Sequence, residues 1–137
     1  MVPLTDDVRS LLEAPNMVHL ATLLPDGSPH SVTIWAGVEG DRIAFFTQRS
    51  SQKGRNLAAD PRLALSVVDR RNPYRTARVR GRVVETIDAP DSLEIVDRIA
   101  HVYTGAAFPM RTVTAYLVEP EQVGFTELPF RDEPPAA

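Results

Sequence analysis

The chain has 137 residues, 43% of them hydrophobic and 24% charged, which is enough for one buried core and too little for two. Its 15 Lys and Arg against 18 Asp and Glu leave a net charge of -3, which argues against general affinity for nucleic acid or anionic membranes. It has no cysteine, so disulfides, thiolate metal sites and cysteine nucleophiles are excluded. No run reaches the ~20 apolar residues of a membrane span, and the start has neither the basic nor the apolar stretch of a signal peptide, so a cytoplasmic location is expected. Cationic residues crowd into 49–62 and 70–82 while both ends are acidic, which leaves room for a local site for a small anion.

A short helix is expected first. Thr5 caps it, Asp6 and Asp7 suit its positive end, Val8, Leu11 and Leu12 share a face, and Pro15 closes it. Strand signals follow. Residues 17–24 are apolar and partly β-branched, and Pro25-Asp26-Gly27 is a turn. Over 31–38, Val32, Ile34, Ala36 and Val38 alternate with Ser31, Thr33 and Trp35. Glu39-Gly40-Asp41 is a second tight turn and 43–47 a third strand, so the three make an antiparallel meander. The period breaks at 50–60, where Ser50 or Ser51 can cap a short helix that Asp60-Pro61 ends. A strand over 63–68 and a loop at Asn72-Pro73 lead to a long strand over 74–85. Its Ala77, Val79, Gly81 and Val83 face one way, and Arg78, Arg80 and Arg82 the other. A helix over about 91–103 repeats Leu93, Val96, Ile99, Ala100 and Tyr103 at helical spacing, with Asp88 or Asp91 as its cap. Two short strands, 112–118 and 122–125, flank Glu119-Pro120. The sum is an α+β, mainly β domain over 1–128, most simply a closed or nearly closed antiparallel barrel, with a loose Pro-rich tail over 129–137.

Few residues offer chemistry of their own. The three histidines, His19, His30 and His101, lie in different elements without metal-ligand spacing, and no metal site is expected. Only His30, beside the first hairpin, stands where a site is plausible. No nucleophile-elbow or P-loop motif and no paired carboxylates occur, so an enzyme of this sequence would take its reactive group from a cofactor. The most informative stretch is 45–57. A strand ends at Thr47 and enters a helix through Gln48, Arg49, Ser50, Ser51, Gln52 and Lys53. Free helix N–H groups, the hydroxyls of Thr47, Ser50 and Ser51, and the charges of Arg49, Lys53 and Arg55 are the ingredients of a phosphate site. The same residues also describe a capped helix with a solvated basic face. Trp35, the single tryptophan, is either a ligand or dimer wall or packs under a helix. The Arg78, Arg80 and Arg82 stripe reads first as the wet face of a strand.

The order Ala21-Thr22-Leu23-Leu24-Pro25-Asp26-Gly27-Ser28-Pro29-His30, then Phe46-Thr47 through Lys53-Gly54-Arg55-Asn56-Leu57 to Asp60-Pro61-Arg62, then Val79-Arg80-Gly81-Arg82-Val83, resembles the pyridoxamine 5'-phosphate oxidase-like split-barrel family. Within it the chain is most similar to the actinobacterial branch that uses the deazaflavin coenzyme F420. The resemblance implies a six-stranded antiparallel split β-barrel with short flanking helices, and a homodimer with two cofactor sites at its interface. It implies that Thr47, Ser51 and Lys53 hold the cofactor phosphate, with Gln48, Arg49, Ser50, Gln52 and Asn56 alongside. Val32, Thr33, Ile34 and Trp35 would lie along the ring, and Tyr74 and Thr76 would come from the partner subunit. The expected activity is hydride transfer between F420 and a small conjugated organic substrate. The alternatives are an FMN-dependent oxidoreductase or a non-catalytic protein binding a flavin- or haem-type ligand. The family's vitamin B6 oxidation calls for a C-terminal Arg and His segment that does not follow Pro129-Phe130-Arg131, so that activity is not expected.

Overall fold

Alternating apolar residues drive the strand segments into one antiparallel sheet in the computed structural model, which describes residues 1–131. The elements are α1 (Asp6–Glu13), β1 (Val18–Leu23), β2 (Pro29–Ile34), β3 (Ala36–Glu39), β4 (Arg42–Thr47), α2 (Gln52–Ala59), β5 (Arg62–Asp69), β6 (Asn72–Ile87), α3 (Leu93–Thr104) and β7 (Thr114–Glu127). The seven strands run in the order β2-β1-β5-β6-β7-β4-β3. The mainly β fold class expected from sequence is the one observed, with seven strands in place of six.

The extra strand arises at Trp35. Residues 31–38 do not form one strand of a meander. Val18↔Ile34 is the last rung between β1 and β2, and Ala36↔Phe45 is the first between β3 and β4. The chain therefore changes partner across a single residue, and the strands on either side lie at opposite ends of the sheet order. Only a sheet curled back on itself can join its two ends so closely.

The late strands depart from expectation in the other direction. Residues 112–118 and 122–125 belong to one strand, β7, which carries Pro120 inside it. Proline lacks the ladder donor and is tolerated at bulges. Here the register with β6 slips between Arg80 and Gly81, opposite Pro120. Gly81 makes room for this, because a Cβ on it would stand 2.4 Å from the Glu119 carbonyl oxygen. Asn72-Pro73 likewise lies within β6, and the turn is Arg70-Arg71.

The helices seal the sheet. Thr5 caps α1 by accepting from the Val8 amide, and Val8, Leu11 and Leu12 enter the main core with Val18, Leu20, Ile43, Phe45 and Val118. Each such aliphatic side chain contributes roughly 1.5–3 kcal/mol on burial. On the other face of β4 and β7, α3 packs Ile95 and Ile99 against Ala44, Ala115 and Leu117. The expected caps Asp88 and Asp91 are not used. Ser92 stands at the N-cap, and its hydroxyl donates to the Val113 carbonyl instead (2.8 Å). Arg78, Arg80 and Arg82 lie exposed and bond to Thr126, Gln122 and Glu121 of β7, as a solvated strand face would. Of the expected tail, 129–131 is described and Phe130 packs edge-on against Tyr74 (5.4 Å), while 132–137 lies outside the described residues. No helix among the described residues is long and apolar enough to cross a membrane.

Candidate functional site

Where β2 leaves the sheet and β4 runs on, the two strands part. Thr33 and Ile34 pair only with β1, while Phe46 and Thr47 extend past the last rung with β3 and pair only with β7. A cavity of about 300 Å³ occupies this split, lined by Thr33, Ile34, Trp35, Phe46, Thr47, Gln48, Lys53, Phe108, Met110 and Val113.

One wall is aromatic. Trp35 lies edge-on to Phe46 (6.4 Å) and Phe108 (6.1 Å), which meet each other at 4.8 Å. Its own ring stacks on Tyr103 of α3 at 5.1 Å and 10°. Trp35 thus packs under α3, as one reading expected, while another part of it lines the cavity. The other wall is polar, with Thr47, Gln48 and Lys53. Lys53 makes no hydrogen bond or ion pair among the described residues, and burial pushes its pKa below the ordinary lysine value. A partly buried cation without a partner is costly until an anion arrives. A cation without a partner among the described residues, in one cavity with a flat aromatic cluster, therefore fits a ligand with a ring and an anionic group.

The start of α2 explains how Lys53 is placed. Ser51 caps the helix by accepting from the Gly54 amide (3.1 Å) and donates to the Gln48 carbonyl (2.8 Å). With its proton so committed, Ser51 accepts from Thr47 at 3.0 Å. Gly54 is needed because a Cβ there would stand 2.6 Å from the carbonyl oxygens of both Gln48 and Arg49. Both hydroxyl protons are thereby spent within the turn, which leaves the Lys53 ammonium as its uncommitted donor among the described residues.

Other residues expected at the site have different partners. Arg49 forks onto Asp88 (2.7 and 3.2 Å) and reaches Thr86 (3.1 Å), while Thr114 also donates to Asp88 (2.7 Å). Hydrogen bonds from Arg49 and Thr114 hold the Asp88 carboxyl below its usual pKa. Asn56 is buried and donates to Thr22 (3.0 Å) while accepting from Gln52 (2.8 Å), so it ties α2 to β1. Ser50 is exposed, and its carbonyl accepts from Arg55 (2.6 Å). Val32 packs against the main core, outside the lining set. His30 also stands outside it, with Nδ1 buried and unpartnered. Tyr74 and Thr76 sit on β6 and do not line this cavity. Among the described residues no group of His, Asp and Glu could hold a metal ion.

Sequence reasoning missed Phe46 of β4 and also Phe108, Met110 and Val113, which come from the coil between α3 and β7. The available signal was apolar bulk in a Gly- and Pro-containing stretch with no strand period. Asp97 of α3 pins that coil, accepting from the Phe108 amide (3.2 Å) and from both Arg111 nitrogens (2.7 and 3.0 Å). The Arg111 guanidinium holds the Asp97 carboxyl below its usual pKa. A larger groove, about 690 Å³, runs along the outer face of β5, β6 and β7, but its Arg78 and Arg80 are already bonded across the sheet.

Comparison with known proteins agrees with this architecture. The family model described as pyridoxamine 5'-phosphate oxidase matches residues 4–127. A pyridoxine/pyridoxamine 5'-phosphate oxidase of Bradyrhizobium diazoefficiens is 33% identical over 104 residues, 75% of this chain and 48% of that protein. One from Azorhizobium caulinodans is 39% identical over 87 residues, 63% and 41%. The chain thus spans about half, or less, of the curated relatives it matches. Among solved structures, an F420 reductase is 31% identical with a TM-score of 0.77, covering 90% of this chain and 98% of that one. A conserved hypothetical protein from Mycobacterium tuberculosis has a TM-score of 0.79 at 22% identity, covers 99% and 95%, and shows the same fold. The curled seven-stranded sheet, the cavity in its split and the match over 4–127 together place the chain in the pyridoxamine 5'-phosphate oxidase family.

Proposed function

We propose that the protein is an oxidoreductase that uses coenzyme F420 to reduce a small conjugated organic substrate, acting as a homodimer. The observation that carries this reading is the split cavity, lined by both the Trp35 aromatic cluster and a Lys53 that has no partner among the described residues. The F420 reductase supports it, because the two chains correspond over 98% of that structure at 31% identity. When bound, the deazaflavin supplies the hydride from its C5 carbon.

The remaining roles belong to the protein. Lys53 and the start of α2 hold the phosphate, with Thr47 and Ser51 supplying hydroxyls and Gln48, Arg49, Ser50, Gln52 and Asn56 framing the turn. Thr33, Ile34 and Trp35 lie along the ring, and Val32 supports them from the core side. Phe46, Phe108 and Met110 keep water from the ring face, which strengthens every electrostatic contact inside. Tyr74 and Thr76 reach the site from the partner subunit. Among the described residues no Asp, Glu or His lines the cavity, and in this reading solvent supplies the proton.

FMN is the second reading, because it too joins a phosphate to a flat tricycle. The acidic tail of F420 separates the two. Arg49, Arg55 and Arg78 are already bonded, while Arg70 and Arg71 carry side chains without partners among the described residues. A tail held by such exposed cations makes F420 affinity fall with salt more steeply than FMN affinity. Fluorescence titration of the protein with each cofactor is the direct test. Tight F420 and weak FMN binding supports the proposal, the reverse moves the protein to FMN, and binding of neither rejects both.

A further inference from the structure

Tyr103 does not line the cavity, yet it holds the residue that does. At the break between β2 and β3, the Ala36 amide donates to the Tyr103 hydroxyl (3.2 Å). The same hydroxyl donates to the Asn16 carbonyl (2.6 Å). Asn16 is 1% exposed, and its side chain is committed on both sides. Its amide donates to the Leu11 carbonyl (2.9 Å) and its oxygen accepts from the Arg70 amide (2.9 Å). One phenol therefore joins α3, the entry to β1 and the first residue of β3, and through Asn16 it reaches α1 and the β5–β6 turn. Its ring lies 5.1 Å from that of Trp35 and within 10° of parallel. Burial raises the Tyr103 pKa, so the hydroxyl remains a donor at ordinary pH.

Trp35 has no other stacked neighbour among the described residues, since Phe46 and Phe108 meet it only edge-on. The stack holds the indole parallel to the phenol, and the two edge contacts bound it from the sides. The Ala36 amide sits one residue away, so the hydroxyl fixes the backbone from which the indole projects. We propose that Tyr103 is a positioning residue: its hydroxyl anchors the strand break and its ring sets the plane of Trp35, which fixes the width of the slot open to a flat ring. The slot's use by a deazaflavin rests on the function proposed above, but the control of Trp35 does not.

Trp35 is the only tryptophan, so fluorescence excited at the red edge of the absorption band, where the three tyrosines do not absorb, reports it alone. Tyr103→Phe keeps the stack and removes the hydroxyl, and Tyr103→Leu removes both. In each variant the emission moves to longer wavelength and acrylamide quenches it more strongly, the leucine variant further. F420 affinity falls about threefold to tenfold in Tyr103→Phe, the equivalent of one net hydrogen bond. Wild-type emission, quenching and affinity in Tyr103→Phe, with only a lower melting temperature, would overturn the proposal and leave a purely structural tyrosine. Should the leucine variant fail to fold, the phenylalanine variant still decides. A wild-type protein that binds no F420 while the variants shift the fluorescence would sink the cofactor assignment and keep the positioning role.

Discussion

Lys53 is partly buried without a partner among the described residues, so its removal acts oppositely on folding and binding. Lys53→Ala removes a charge that the fold desolvates, and the melting temperature is expected to hold or rise. Loss of a charge-assisted contact weakens F420 binding by about 10- to 100-fold. The pH dependence has a defined sign. Burial lowers the Lys53 pKa below 10.5, so the ammonium loses its proton before an exposed lysine would. Anion affinity therefore falls as pH rises through that lowered value, while Lys53→Arg, which stays charged, keeps a flat profile over the same range. Over the window between the lowered value and 10.5 the unfolded chain holds this proton more tightly, so stability rises with pH there. Gly54 is the neighbouring case. An alanine is favoured in a helix by about 1 kcal/mol, but its Cβ would meet two backbone oxygens at 2.6 Å, and neither can swing aside. Gly54→Ala is expected to lose roughly 1–3 kcal/mol in urea unfolding, because overpacking against backbone outweighs the propensity gain.

The coil that roofs the cavity is an element held at few points. Asp97 grips Phe108 and Arg111, and Gln48 reaches Thr112 at 3.0 Å. Exposed pairs of this kind contribute about 0–1 kcal/mol each, so Asp97→Asn is expected to leave global stability nearly unchanged. Amide exchange over 106–113 should accelerate all the same, and unchanged exchange there would show that the grip is not needed. The Asp97 and Asp88 carboxyls are both lowered from 3.8, so what they contribute is present above that pH and is lost as pH falls through the lowered values. The helices were legible in the sequence because their signals are local: Thr5 and Ser51 are caps, and Val96, Ile99 and Ala100 keep the helical period. The break at Trp35 was not. Alternation runs unbroken from Val32 to Val38, and only the partner changes, which is a non-local event. Pro120 misled for the complementary reason, since its tolerance depends on Gly81 in another strand. The polar side of the cavity was visible at Thr47, Gln48 and Lys53, but its roof comes from a coil whose path no periodicity encodes.

At the scale of the molecule, the expected dimer is open to direct measurement, as light scattering should return twice the 15.1 kDa chain mass. If each site joins Lys53 of one subunit to Tyr74 of the other, Lys53→Ala and Tyr74→Ala proteins each bind F420 poorly. Their mixture recovers binding, because a mixed dimer rebuilds one intact site. Failure to recover would place both residues in one subunit's site or Tyr74 outside it. The split between β2 and β4 has a mechanical side as well. A curled sheet left open at one seam is an arch without its keystone, and whatever seats there completes the ring of contacts. At a concentration of 100 times Kd such a ligand adds about 2.7 kcal/mol to the folded state. Its imprint should be local: the amides of 33–35 and 46–48, on the two lips of the seam, slow their exchange together, whereas a ligand lodged on the outer face raises the melting temperature and leaves the seam as open as before.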